Sequence, residues 1–126
     1  MKTACDTNVF IKLFHNDPIV VQEIRQIGDP NVLMPSVVLM ELLSGVQNKN
    51  DLQWLLARVK QRNIIHLNEA ISQKSVEFLQ DYRLSNGLSI PDALIGASAI
   101  LNDVELYTYN LKHFNFLPGI QLRPLP

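Results

Sequence analysis

Three acidic residues stand in apolar company: Asp6 in Cys5-Asp6-Thr7, Glu41 in Leu39-Met40-Glu41-Leu42-Leu43, and Asp92 in Ile90-Pro91-Asp92-Ala93-Leu94-Ile95. A buried carboxylate is costly, and carboxylates gathered together raise one another's pKa unless a cation joins them. A divalent metal ion is the obvious candidate. Ligation through oxygen alone, with no Cys/His spacing of a zinc site, points to Mg2+ or Mn2+. An ion held this way orients a water, lowers its pKa and neutralises the charge that develops on a phosphate. Each acid also has a purely structural reading. Asp6 ends an apolar run and could simply accept from the turn amides of Thr7 and Asn8. Asp92 lies three residues after Ser89, the spacing of a capping box. Glu41 is harder to explain structurally, because the only charge in an almost wholly apolar helix needs a buried partner. Ser44 and Gly45, about one turn further on, are small enough to let another backbone or a metal cluster come close.

The elements that must position these acids alternate in type. Thr3-Ala4-Cys5 reads as a short buried strand ending at Asp6, and Val9, Phe10, Leu13 and Phe14 follow at helical spacing. Asp17-Pro18 opens a second helix that Gly28 stops, and Val32-Leu33-Met34 is the next strand. Pro35-Ser36 starts a helix apolar nearly all round, the mark of a buried element. Asn50 or Asp51 is expected to cap a helix with Leu52, Leu55, Leu56 and Val59 on one face, followed by a strand at Ile64-Ile65. A long amphipathic helix runs from about Glu69 to Asn86, with Ile71, Phe78, Leu79 and Tyr82 inward and Gly87 as its stop. Ser89 caps a helix from Ile90 to about Leu101, Val104 to Tyr107 is a fourth strand, and Asn110 to Phe114 is a helical turn. Ile120 to Leu122 is a candidate edge strand. Short apolar strands separated by helices imply a mainly parallel sheet covered on both faces, an α/β sandwich whose ligands gather at the carboxyl ends of the strands.

Composition narrows the function. At 126 residues, 47% hydrophobic and 18% charged, the chain is expected to form one domain over 1–126 with a single core. A net charge of -1 excludes a protein that grips nucleic acid through a blanket of Lys and Arg. Nucleic-acid contact must then be local or assisted by metal, which reverses the sign of an acidic pocket. Lys12, Lys112, His113 and Arg123 are the candidate flanking phosphate contacts. The single cysteine, Cys5, cannot form an internal disulfide, and the most apolar stretches are too short to span a bilayer. With no signal-peptide pattern at the N-terminus, a cytoplasmic protein without membrane contact is expected.

Four segments carry a resemblance: Asp6-Thr7-Asn8-Val9-Phe10-Ile11, then Ser36 through Glu41-Leu42-Leu43-Ser44-Gly45, then Pro91-Asp92-Ala93-Leu94-Ile95-Gly96-Ala97, and finally Leu106-Tyr107-Thr108-Tyr109-Asn110-Leu111-Lys112-His113-Phe114. In order and spacing they resemble the PIN-domain ribonucleases, and among these the VapC toxins of type II toxin–antitoxin modules. The resemblance implies a PIN-like three-layer α/β/α sandwich and a Mg2+- or Mn2+-dependent endoribonuclease acting on RNA. It places Asp6, Glu41 and Asp92 as metal-binding carboxylates and Asn110 in the catalytic set. Many relatives carry a fourth acid at the position of Asn110 or just before Phe114, where this chain has His113. Asn110 could ligate a metal through its carbonyl, hold a water or cap the turn ending at Phe114, whereas His113 could assist proton transfer.

The family also implies an antitoxin partner that inserts an apolar segment between helices, and a homodimer. Phe10, Phe14 and Trp54 are candidates for that groove, because Trp54 lies off the apolar stripe of its helix. Two rival readings remain open on sequence. One is a PIN-like module that has lost catalysis and only binds RNA or protein. The other is a phosphoacceptor receiver, which requires an acid at the end of the third strand, where this chain reads Ile64-Ile65-His66-Leu67.

Overall fold

Thr3–Cys5, fully covered on both sides, form strand β1 at the middle of a parallel sheet. The computed structural model describes residues 1–126. β1 pairs on one side with β2 (Val32–Pro35), in the register Ala4 to Leu33, and on the other with β4 (Glu105–Tyr107), in the register Cys5 to Tyr107. β3 (Asn63–Ile65) continues the sheet beyond β2, giving the order β3-β2-β1-β4. The candidate strand at Ile120 to Leu122 reduces to one parallel bridge, Leu106 to Leu122.

Helices α1 (Thr7–Phe14) and α2 (Pro18–Ile27) connect β1 to β2, and α3 (Ser36–Ser44) and α4 (Lys49–Val59) connect β2 to β3. The return past β1 to β4 runs through α5 (Glu69–Asn86) and α6 (Ile90–Leu101). Two connections step one way along the sheet and the third steps back. Right-handed crossovers then place α5 and α6 on the face opposite the first four helices. The point of reversal lies between β1 and β4, where open α/β sheets bind their ligands at the carboxyl ends of the strands.

The helix starts follow local chemistry. Asp6 caps α1 by accepting from the Thr7 amide at 2.7 Å, Asp17 caps α2 ahead of Pro18, and Asn68 and Ser89 cap α5 and α6. Gly87 closes α5 at a φ of +68°, in the left-handed region that glycine enters without strain. One cap differs from expectation. Asn48, not Asn50 or Asp51, caps α4, its side-chain oxygen accepting from the Asp51 amide at 2.8 Å, so the helix begins earlier and Asp51 sits in its first turn.

Two burial expectations also change. α3 is not enclosed all round: Val37, Val38 and Leu42 are buried, whereas Met40 is exposed and Glu41 half-buried. On α4 only Leu55 of the expected stripe is buried, and Leu56 faces solvent. α4 therefore meets the rest of the fold along a narrow line and leaves an open flank beside Trp54. On α6 the fit is tight at Gly96, where a Cβ would stand 2.5 Å from Leu117 Cδ1. That close approach lets the segment after β4 lie directly on α6.

Candidate active site

The topology delivers Asp6 to the carboxyl end of β1, at the reversal point. Its side chain is nearly enclosed, with 4% of the residue exposed. One carboxylate oxygen accepts from the Thr7 amide and the other from the Thr108 hydroxyl at 2.8 Å, a bond that crosses from the end of β4 to the end of β1. Thr108 is fully buried, and its oxygen also accepts from the Asn110 amide at 3.0 Å. Thr7 extends the chain of contacts by donating its hydroxyl to Glu41 Oε1 at 2.8 Å. This is the partner that the charge on α3 required. Asp6 thus does what its structural reading proposed, capping a turn, and at the same time anchors a network reaching Glu41.

Asp92 enters from α6. The capping reading holds for its backbone, whose amide donates to Ser89 Oγ at 3.2 Å. The carboxyl does more. Oδ2 lies 3.2 Å from Nδ1 of His113 in the turn Leu111–His113. Burial pushes the Asp92 carboxyl above the usual range, the charge of Asp6 and, more weakly, of Glu41 push it the same way, and His113 and Ser89 oppose them. Asp92 therefore lies close enough to Asp6 and Glu41 for their charges to oppose its ionisation. Asn110 sits beside them at the end of β4, half-buried. Its side chain caps nothing, contrary to the capping reading, because the turn after it is held through its backbone.

No three carboxylate, imidazole or thiol groups close on a common point at ligand spacing as they stand. The donor set nonetheless suits a hard divalent cation: all oxygen, anionic, and with Asp92 held out of its ordinary acidity by burial and then by the charges of Asp6 and Glu41. Cys5, just before Asp6, contributes nothing to such chemistry, since burial pushes its thiol up to about 12.

A family model described as the PIN domain matches residues 4–116. The chain belongs to the PIN-domain family. Ribonuclease VapC19 of Mycobacterium tuberculosis is 28% identical over 120 residues, covering 92% of this chain and 94% of that protein. A toxin–antitoxin complex from Klebsiella pneumoniae contains a chain of TM-score 0.78 and 28% identity, covering 94% of this chain and 95% of that one. VapBC2 from Rickettsia felis, bound to a promoter DNA fragment, has a chain with the same fold at TM-score 0.82 and 23% identity, covering 98% of each. The four-stranded parallel sheet flanked by six helices is the PIN-like α/β/α sandwich, and the receiver reading is set aside.

Several flanking expectations for this PIN domain change. Arg123 is not available to a phosphate: it donates to Glu23 at 3.0 Å and to Glu105 at 2.9 Å, and Thr3 bonds the same Glu105 oxygen. Thr3 and Glu105 begin their strands, so this network ties the end of the sheet away from Asp6. Lys12 stands 5.2 Å from the centre of the Tyr109 ring and 3.9 Å from Asp17, the cap of α2. Phe10 is wholly buried and belongs to the core. Phe14 and Trp54 do line a groove of about 630 Å3 between α1, α3 and α4, whose wall includes Ile11, Val46, Thr7 and Glu41. Trp54 stands edge-on to Phe14 at 6.3 Å and carries Arg58 over its other surface at 4.1 Å.

Sequence reasoning missed Thr108 as the second anchor of Asp6. The signal was available: a hydroxyl directly after an apolar strand, facing the strand that ends at Asp6. Thr7, read only as a turn residue, is the link to Glu41.

Proposed function

We propose that this PIN domain is a VapC-like toxin, a cytoplasmic endoribonuclease that hydrolyses RNA phosphodiester bonds with Mg2+ or Mn2+ held by Asp6, Glu41 and Asp92. The observation that supports this most is the hydrogen-bonded run Thr108–Asp6–Thr7–Glu41 at the reversal point of the sheet, with Asp92 near enough that the charges of Asp6 and Glu41 add to burial in raising its carboxyl. The bound ion would supply an activated water and a positive charge for the scissile phosphate. The chain's own groups do the rest. Thr108 and the Thr7 amide fix Asp6, and the Thr7 hydroxyl fixes one oxygen of Glu41, so both carboxylates are set before substrate arrives. Asn110, whose side-chain amide makes no bond within the chain, is free to orient a water or a phosphate oxygen. Lys12 and Lys112 are the cations we assign to flanking phosphate contacts, a local positive charge that a chain of net charge -1 otherwise lacks.

The groove between α1, α3 and α4 supports the second half of the reading, an antitoxin as partner. Its apolar wall suits the apolar side of a short helix or strand, and Thr7 and Glu41 line it as well as the acid network. An antitoxin segment seated there would therefore reach the catalytic carboxylates. A homodimer completes the proposal. Cleavage of RNA by the purified chain, abolished by a chelator and restored by Mg2+ or Mn2+, is the expected result. Full cleavage in chelator would refute the metal mechanism, and no cleavage under either condition would favour a PIN module without catalysis.

A further inference from the structure

Of the chain's asparagines only Asn86 is followed by glycine, and the pair closes α5 at the surface. Ser85, Asn86 and Gly87 are exposed, whereas Leu88, the next residue, is buried. A backbone nitrogen can attack the side-chain amide before it only where its own residue leaves room, and glycine has no Cβ to block the approach. The space around Gly87 is open as well: at its φ of +68° a Cβ would meet no atom within 4 Å. One hydrogen bond holds the Gly87 amide, donated to the Arg83 carbonyl at 2.9 Å, and it lies at a helix end, where chains open most readily. Arg83 Nη1 donates to the Gly87 and Leu88 carbonyls, both at 3.1 Å, and leaves the Gly87 nitrogen untouched. The Ser85 hydroxyl donates to Asn86 Oδ1 at 2.7 Å. It stands on the oxygen that takes up negative charge when Cγ is attacked.

We propose that Asn86-Gly87 is a site of spontaneous covalent modification, at which the Ser85 hydroxyl assists loss of the Asn86 side-chain amide. Hydroxide removes the Gly87 amide proton, the nitrogen lone pair forms a bond to Asn86 Cγ, and the carbonyl electrons move onto Oδ1, where Ser85 donates. Collapse of that intermediate breaks the bond from Cγ to the side-chain nitrogen, which leaves as ammonia with a proton from water, and a succinimide ring remains. Water then opens the ring at either carbonyl. Opening at the side-chain carbonyl gives aspartate, and opening at the backbone carbonyl gives isoaspartate, whose main chain gains a methylene. Asparagine and water are consumed, an acid and ammonia are formed, and nothing is oxidised or reduced. Either product adds a negative charge to a chain of net charge -1 and puts it at the C-terminal end of α5, where the helix dipole disfavours it. Isoaspartate also lengthens the short link to Ser89, the cap of α6.

The test is a time course of the full chain in mildly alkaline buffer, folded and unfolded in guanidinium chloride, for the wild type, Ser85→Ala and Asn86→Gln. Peptide mapping by mass spectrometry follows the exchange of NH2 for OH at each asparagine, and methylation by a protein isoaspartyl methyltransferase counts isoaspartate. All three proteins should fold alike, since only exposed side chains change. Asn86 is expected to lose its amide before any other asparagine. One net hydrogen bond is equivalent to a factor of about five, so the folded rate should lie within about ten-fold of the unfolded rate. Ser85→Ala should slow the folded chain but not the unfolded one, in which no fold holds the hydroxyl on Oδ1, and Asn86→Gln should abolish the early isoaspartate. A folded wild type that keeps the Asn86 amide while the unfolded chain loses it overturns the proposal. So does a folded Ser85→Ala protein that reacts at the wild-type rate, or isoaspartate that persists in Asn86→Gln.

Discussion

Thr108→Val isolates the hydrogen bond that joins the ends of β1 and β4. Valine keeps the shape of threonine, so no cavity forms, but the hydroxyl that donates to Asp6 and accepts from Asn110 is lost. Thr108 is fully buried, so water cannot replace it. A hydrogen bond to a charged group contributes about 1.5–3 kcal/mol and a neutral one about 1 kcal/mol. The added methyl offsets about 0.8 kcal/mol through burial. The net loss is about 2 kcal/mol, and with an unfolding entropy of about 2.1 cal/mol/K per residue that lowers Tm by about 8 °C. Thr108→Ser keeps both hydrogen bonds, gives up one methyl and is expected to lose about half as much. Circular dichroism melts in chelator measure both. A Thr108→Val protein melting within about 2 °C of the wild type would refute the claim that this hydroxyl holds Asp6.

Arg123→Met should destabilise the fold by about 3 kcal/mol, because it leaves Glu23 and Glu105 charged and largely enclosed, while RNA cleavage below the melting range should be unchanged; parallel melts and cleavage rates check both halves. The raised Asp92 carboxyl has a definite sign in the absence of metal. The unfolded chain ionises first, near 3.8, so folding stability falls as pH rises from there through the higher folded value, and in Asp92→Asn that part of the decline should vanish from melts taken across pH in chelator. Trp54→Ala should weaken capture of a cognate antitoxin by about 2 kcal/mol or more, as measured by titration calorimetry, and leave RNA cleavage intact. Because Trp54 is the chain's one tryptophan, its fluorescence should also shift when the groove between α1, α3 and α4 fills.

Much of the fold was legible because its signals are local. Asp17-Pro18, Ser89 and Gly87 mark helix ends through bonds made within a few residues, and short apolar runs between helices leave a parallel sheet as the economical arrangement. The misread cap at Asn48 shows where that stops. Asn48, Asn50 and Asp51 are all competent caps, and only the geometry of the incoming chain selects among them. Burial was less legible still. Met40 and Leu56 are apolar yet exposed, on sides of α3 and α4 that no other element covers, and sequence periodicity cannot tell a core face from one left open.

The acids of the site stood out as charges in apolar surroundings, but their supports did not. Threonines such as Thr7 and Thr108 are common near turns, and their roles depend on helices (α1 and α3) or strand ends (β1 and β4) far apart in the chain being neighbours in space. Arg123 was misplaced for the same reason. As a lone cation near the C-terminus it resembled a phosphate contact, and only the pairing of Leu106 with Leu122 brings it to Glu105 and Glu23.

The central claim is that Asp92 serves a metal ion and does not merely cap α6. Asp92→Asn keeps the backbone amide that bonds Ser89 and leaves a side chain of nearly the same shape, so the protein should fold. It removes one negative charge from the set Asp6, Glu41 and Asp92. RNA cleavage by the folded variant, measured with saturating Mg2+ or Mn2+ against the wild type, is expected to fall by about a hundred-fold or more. A folded Asp92→Asn protein that cleaves RNA at the wild-type rate would return Asp92 to the capping role and contradict the account.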